Sequence, residues 1–449
     1  MNPEDTTSQA PISPKQSRKA AVGALAGTSL EFYDFYVYAT ASALVFGALF
    51  FPVIDDPFVA TMAAFAVFGV GFVSRPLGAV IFGHFGDKYG RKRTLIASLL
   101  IMGGSTFLVG FLPTYDTAGV AAPLALVVLR LLQGFAIGGE WGGAALISTE
   151  SAPRNRRNFY GAFTQLGSPV GTVMASGMFA LAGLGGHEVL LDWAWRVPFW
   201  FSGLLVIVGL VIRVKLEESP AFTAATQRQH VVRMPIVTVL REQWRSVLAG
   251  VAAVAVGIGG FYITGTLFLS YATTQAGNPE SPLLLAQTIA AATSIISFPL
   301  FALLADRIGS KPVMISGLVA TYLVAAPHFL VANTKAMVLI GAMLVVTQTV
   351  QSGAWVCIPA FLSRAFPPET RYTGISLSYQ LASILFGGIM PIVGAGLLAS
   401  NDGNLAPAIV LLVLLATINI GGVIATSRII AGRERSARET TTQEGKING

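Results

Sequence analysis

The sequence predicts an all-α integral membrane protein of twelve transmembrane helices, arranged as two six-helix pseudo-symmetric halves. Three observations point there. Of 449 residues, 53% are hydrophobic and 11% charged, with a mean hydropathy of +0.67, whereas soluble domains are about 25% charged. The apolar residues gather into twelve runs, and about 20 helical residues suffice to cross a hydrocarbon core about 30 Å thick. Two loop sequences also recur. "GHFGDKYGRKR" (83–93) is echoed by "ALLADRIGSKP" (302–312), with Asp87 and Asp306 separated by 219 positions, and "SAPRNRRNFYG" by "FPPETRYTG", with Gly161 and Gly374 separated by 213.

A polar tail, 1–19, ends in Lys15, Arg18 and Lys19 and leads into the first run, 20–50. That run is too long and too acidic for a cleaved signal peptide. It holds Glu31 and Asp34, and a carboxylate at a helix centre costs roughly 2.5–3.5 kcal/mol on insertion scales. Glu31, Asp34 and Tyr38 stand at i, i+3 and i+7, on one face. That face either pairs within the bundle or lines a cavity, and the cavity is the favoured reading. The second run, 58–84, carries Arg75 ahead of Pro76, read as a structural pairing near the cytoplasmic end of its helix; the third is 93–113. In the fourth, 121–150, Arg130, Gln133, Ile137 and Glu140 fall within about 80° of one another at 100° per residue. A charged stripe about 15 Å long does not face lipid. Gly134, Gly138 and Gly142 follow at spacing four, the pattern that lets a neighbouring helix approach closely. Runs 158–184 and 195–216 complete a half spanning 20–215. The longest hydrophilic connection, 216–245, separates it from a second half, 246–426, with runs at 246–276, 283–305, 312–332, 335–363, 372–400 and 404–426, and a tail at 427–449.

Orientation follows from the basic residues. Both tails and the even-numbered connections hold 25 of the 29 Lys and Arg, which puts both termini in the cytoplasm. The charge of +7 and pI near 9.6 come from residues punctuating apolar runs, so nucleic acid is not expected as a partner. The single Cys357 excludes an intrachain disulfide framework, and His84, His187, His230 and His328 form no metal-ligand spacing. No metal and no cofactor is expected. Nothing suggests an enzyme's nucleophile or a receptor's extramembrane domain, whereas two parallel six-helix repeats across a central pathway are the architecture of a secondary transporter.

Several segments carry a family resemblance. "GHFGDKYGRKR" resembles the GxxxDxxGR(R/K) loop of the major facilitator superfamily, and "LVVLRLLQGFAIGG" (126–139) resembles the RxxQG motif of its fourth helix. "EFYDFYVY", "SRPLGAVIFGHFGD" (74–87), "GGEWGGAALISTESAP" (138–153), "WRVPFW" (195–200) and "LEESPAF" (216–222) are similar to the metabolite:proton symporter branch, which carries betaines, proline, citrate, 2-oxoglutarate, shikimate and related solutes. "ATASALVFGALFFP" and "GFAIGGEWGGAALISTESAP" resemble the shikimate-permease type. The resemblance covers nearly the whole chain and is stronger in the first half. Two departures stand out: EFYD replaces the EWYD or EWFD common in the family, and the second-half loop has GS in place of GR.

The resemblance implies the major facilitator fold, alternating access, and proton-coupled symport of a small organic acid of the shikimate type. A symporter of zwitterions such as proline or betaine is the alternative. The tail lacks the apolar heptads of the osmosensing members. Asp34, Glu31, Arg130 and Glu140 are the expected proton-coupling groups, Asp34 being the carrier. Substrate contacts are expected from Tyr38, Arg130, Gln133, Trp141, Tyr262, Thr266, Gln351 and Trp355, with Thr264 and Gln348 beside them. Gly83, Asp87, Gly90 and Arg91 form the expected gating loop. There the resemblance places Asp87 against the N-terminus of helix 11, near Arg371 to Gly374, as a latch of the outward-facing state; a helix N-terminus stabilises an anion. The expected partners are protons, a small-molecule substrate and the lipid bilayer of a bacterial-type cytoplasmic membrane, with a monomer sufficient for function.

Overall fold

The computed structural model describes residues 14–55, 57–215, 235–390, 393 and 404–447. The first half contains α1 (Pro14–Ala41), α2 (Pro57–Tyr89), α3 (Arg91–Val109), α4 (Ala121–Glu150), α5 (Arg157–Ala182) and α6 (Val197–Val214). The second contains α7 (Trp244–Ala253), α8 (Glu280–Ile308), α9 (Ser310–Leu330), α10 (Met337–Val356), α11 (Arg371–Ala382) and α12 (Ala406–Ile447). Beyond α7 the chain continues through π-helical turns, Val256–Gly260 and Tyr262–Leu267, into Phe268–Thr274. Among the described residues ten helices are long and apolar enough to cross a membrane, and α1 with its bent continuation Leu44–Phe50 makes an eleventh. The remaining expected run, 372–400, starts as α11 and continues through Ser383–Gly388; its last part lies outside the described residues.

The helices outrun the apolar segments at both ends of the chain. α1 begins at Pro14, inside the expected tail, and its Ser17 hydroxyl donates to the Ser151 carbonyl at 2.6 Å. α12 likewise runs on through Ile447. Hydropathy marks where lipid ends, not where i to i−4 hydrogen bonding ends. In the central connection, Pro235–Glu242 is a short helix with Val239 buried beside α2 and α11.

Packing repeats across the two halves. α1 lies on α5, α2 on α4 and α3 on α6; correspondingly α7 lies on α11, α8 on α10 and α9 on α12. Between the halves, α2 meets α11 and α8 meets α5. The repeated loops share a backbone feature: Gly90, between α2 and α3, has φ 103°, and Gly309, between α8 and α9, has φ 96°. These are the same 219 positions apart as Asp87 and Asp306, and L side chains are disfavoured there. The glycine row of α4 packs as its spacing predicts. A Cβ at Gly134 would strike the Gly71 carbonyl and one at Gly138 the Arg75 carbonyl, while Gly142 faces Ser376 of α11.

The end of the bundle bearing the basic loops is closed. Asp306 accepts from the Asn158 and Phe159 backbone N–H groups at 2.9 and 3.0 Å, capping the start of α5. Arg371 pairs with Glu150 at 2.9 Å, the Tyr372 hydroxyl donates to the Gly139 carbonyl at 2.7 Å, and a Cβ on Gly83 would lie 3.0 Å from the Thr373 Cα. The side chains of Asp87 and Arg91 lie outside the described residues.

Candidate functional site

Four buried ionisable groups meet near the middle of the bundle: Glu31 and Asp34 from α1, Arg75 from α2 and Arg130 from α4. Arg130 is tightly held. Its guanidinium sits over the Tyr38 and Phe68 rings, 4.5 Å from each centroid. Its Nε donates to the Phe68 carbonyl at 3.2 Å and Nη1 to Gln133 Oε1 at 3.1 Å. Gln133 Nε2 in turn donates to Thr106 Oγ1 at 2.6 Å, and that hydroxyl, which donates to the Met102 carbonyl at 3.1 Å, is a polar neighbour of Asp34. Arg130 and Asp34 are electrostatic neighbours with no direct ion pair between them among the described residues. One oxygen of Asp34, one of Glu31, the Tyr38 hydroxyl and Nη2 of Arg130 have no hydrogen-bond partner.

Glu140, expected with this group, is an electrostatic neighbour of Glu31 and has partners of its own. It forms an ion pair with Arg213 of α6 and accepts from Ser98 at 2.7 Å, all three buried. Arg213 also donates to the Leu95 carbonyl. Arg213 stands in the last turn of α6, inside the sixth run, although the basic-residue count had taken it with the connection that follows.

Arg75 departs furthest from expectation. It lies 14 residues before the end of α2, about 21 Å at 1.5 Å per residue, far from the loop end where a structural pairing was expected. Its guanidinium stands 4.2 Å from the Phe72 ring centroid and 5.7 Å from that of Phe35. Glu31, Tyr262 and Tyr379 are its electrostatic neighbours, the two tyrosines from the other half. Counting turns along the second run would have found this position.

The expected contacts from the second half divide. Tyr262 is an electrostatic neighbour of Arg130, while the Gln351 amide nitrogen, unpartnered among the described residues, would lie 3.5 Å from a Cβ on Gly260. Trp141 stacks on Tyr379 at 3.9 Å and 8° between planes, and its Nε1 donates to Gln165 at 3.0 Å. Gln165 donates to the Trp355 carbonyl, and the Trp355 ring lies 6.2 Å from Tyr379. Thr266, in the π-helical turn, is exposed and has no hydrogen bond among the described residues. Thr264 is spent on the Gly260 carbonyl and Gln348 on Ser294. Tyr379 was missed, since the eleventh run has no charge to draw attention to it.

The sequence model of the Major Facilitator Superfamily matches residues 24–391. The chain is 41% identical over 386 residues to the inner membrane metabolite transport protein YhjE of Escherichia coli K12, covering 84% of this chain and 87% of that protein. It is 39% identical over 401 residues to the shikimate transporter of the same organism (88% and 90% covered). With the E. coli K12 proline/betaine transporter it shares 34% over 421 residues (90% and 83%). Among solved structures, the proton:xylose symporter XylE bound to 6-bromo-6-deoxy-D-glucose superposes with a TM-score of 0.73 over 93% of this chain and 96% of that one, at 16% identity.

Proposed function

The chain belongs to the major facilitator superfamily, and on that premise we propose that it is a proton-coupled symporter of a small organic acid. Like its relatives it is a multi-pass membrane transporter and not an enzyme. The observation that carries the proposal is the central set of two acids and two arginines, buried where the halves meet and left with unpartnered polar atoms. Intramembrane ionisable groups that are merely structural are expected to be fully paired, as Glu140 and Arg213 are.

Asp34 is the proton carrier. Ionised, it balances the charge of its neighbour Arg130; protonated, it leaves positive charge in the site for a carboxylate. Substrate and proton then enter from one side, and rocking of the halves around the midplane site releases both to the other. Release of the carboxylate restores the balance between Asp34 and Arg130, and the proton departs. A shikimate-type acid is favoured by the 39% identity to the shikimate transporter; a proline- or betaine-like zwitterion is the alternative, and the same four charges accommodate it.

Both termini face the cytoplasm of a bacterial inner membrane on the Lys/Arg distribution. Reporter fusions at Thr117 and Arg433 should give opposite readouts; identical readouts refute this orientation. The function is tested in proteoliposomes under an imposed inward proton gradient. Accumulation of shikimate, protocatechuate or 2-oxoglutarate, abolished by a protonophore, is the expected result. Accumulation of betaine with none of these acids refutes the organic-acid reading.

A further inference from the structure

We propose that Arg75, rather than Arg130, is the anchor for the substrate's carboxylate, with Glu31 as its counter-charge in the empty site. The assignment rests on the organic-acid reading above.

The two arginines differ in what they have left to give. Arg130 lies against two adjacent rings, has two of its N–H groups donated within the first half, and has only Nη2 unpartnered. An anion approaching it meets a group already committed to the Phe68 carbonyl and to Gln133. Arg75 makes no hydrogen bond and no ion pair among the described residues, and its Nε is an unpartnered buried donor. The side chain is 7% exposed. Burying an ion incurs an effective penalty of several kcal/mol, and Arg75 offsets it with aromatic faces on one side and the charge of Glu31 rather than with hydrogen bonds. A guanidinium offers two parallel N–H donors to a carboxylate, and those of Arg75 are uncommitted.

The surroundings fit that role. Phe72 and Phe35 flank the guanidinium from the first half, and at Gly387 of the second half a Cβ would lie 3.4 Å from both Phe72 and Tyr262. Arg75 therefore stands at the seam of the two halves, where a ligand must sit if its binding is to be coupled to their relative motion. Glu31 is an electrostatic neighbour of Arg75 but not an ion-pair partner, and one of its oxygens is unpartnered. Opposite charges held close but apart leave room for a third group. A carboxylate on Arg75 then displaces the influence of Glu31, and protonation of Asp34 balances the negative charge that it adds. The site thus contains two acid–arginine sets, one that binds the anion and one that carries the proton.

The test uses purified full-length protein in proteoliposomes with whichever of shikimate, protocatechuate and 2-oxoglutarate the wild type accumulates. Arg75→Gln should raise the KM for that acid at least tenfold while the maximal rate changes less than about threefold, and Arg75→Lys should lie between. Glu31→Gln, which removes the competing anion, should tighten equilibrium binding of the same acid several-fold. The methyl ester of the acid should bind wild type at least tenfold more weakly and should not discriminate wild type from Arg75→Gln. Unchanged KM in Arg75→Gln, or equal loss of acid and ester binding, overturns the assignment while leaving the functional reading intact. If Arg75→Gln does not fold, Arg75→Lys with wild-type acid affinity overturns it as well. A wild type that accumulates betaine and no acid overturns both.

Discussion

Asp34 and Glu140 are both buried carboxylates, and their partners give them different chemistry. Glu140 holds a guanidinium and a hydroxyl, whereas Asp34 makes no ion pair among the described residues and keeps an oxygen without a partner. Asp34→Asn should therefore abolish accumulation driven by a proton gradient while counterflow exchange of the same substrate persists. Glu140→Ala should act differently, stranding Arg213 and lowering thermal stability, since breaking a buried pair costs about 3–5 kcal/mol. Gradient-driven accumulation by Asp34→Asn with normal proton stoichiometry would move the carrier elsewhere. The acids of α1 were legible in the sequence because charge inside an apolar run is conspicuous. Arg213 was not, because at the edge of a run a buried cation and a topology-setting cation look alike.

Individual helices show the same division between what pattern reveals and what packing adds. Glycines at spacing four in α4 announced a close neighbour, but only the fold identifies it as α2 for Gly134 and Gly138 and as α11 for Gly142. Gly138→Ala drives a methyl into the Arg75 carbonyl and the Ala79 backbone nitrogen, which cannot move independently of α2. We expect a loss of about 1–3 kcal/mol, the usual range for overpacking, read as a lower unfolding temperature in detergent. Gly104→Ala in α3 is the control: no atom lies within 4 Å of its Cβ, and a glycine-to-alanine change in an open helix gains about 0.5–1 kcal/mol. Equal effects would mean that the α2–α4 contact is not tight. The π-helical turns after α7 had no sequence signal; there His328 of α9 bonds the Thr264 carbonyl and the Thr347 hydroxyl, each at 3.0 Å, a tertiary contact that no local pattern announces.

At the scale of the whole molecule, the repeat in the sequence became a repeat in packing, down to left-handed glycines in equivalent loops. The state of the transporter was not legible, because inward- and outward-open forms have the same sequence and nearly the same helices. What distinguishes them is which ends of the halves touch, and here the loop-bearing ends do. Gly83 of α2 and Thr373 of α11 belong to opposite halves, and a Cβ on Gly83 would lie 3.5 Å from that of Thr373, within the Cβ spacing of about 3.5–4.5 Å that a disulfide spans. The native Cys357 is buried, which limits competing oxidation. Gly83→Cys combined with Thr373→Cys should therefore crosslink in membranes on mild oxidation. If the halves must part here for substrate to reach the cytoplasm, the crosslinked protein should bind substrate from the opposite side yet accumulate none, and reductant should restore accumulation. Either single variant should be insensitive to the oxidant. Quantitative crosslinking with undiminished accumulation would show that separation of α2 from α11 is not part of the transport cycle.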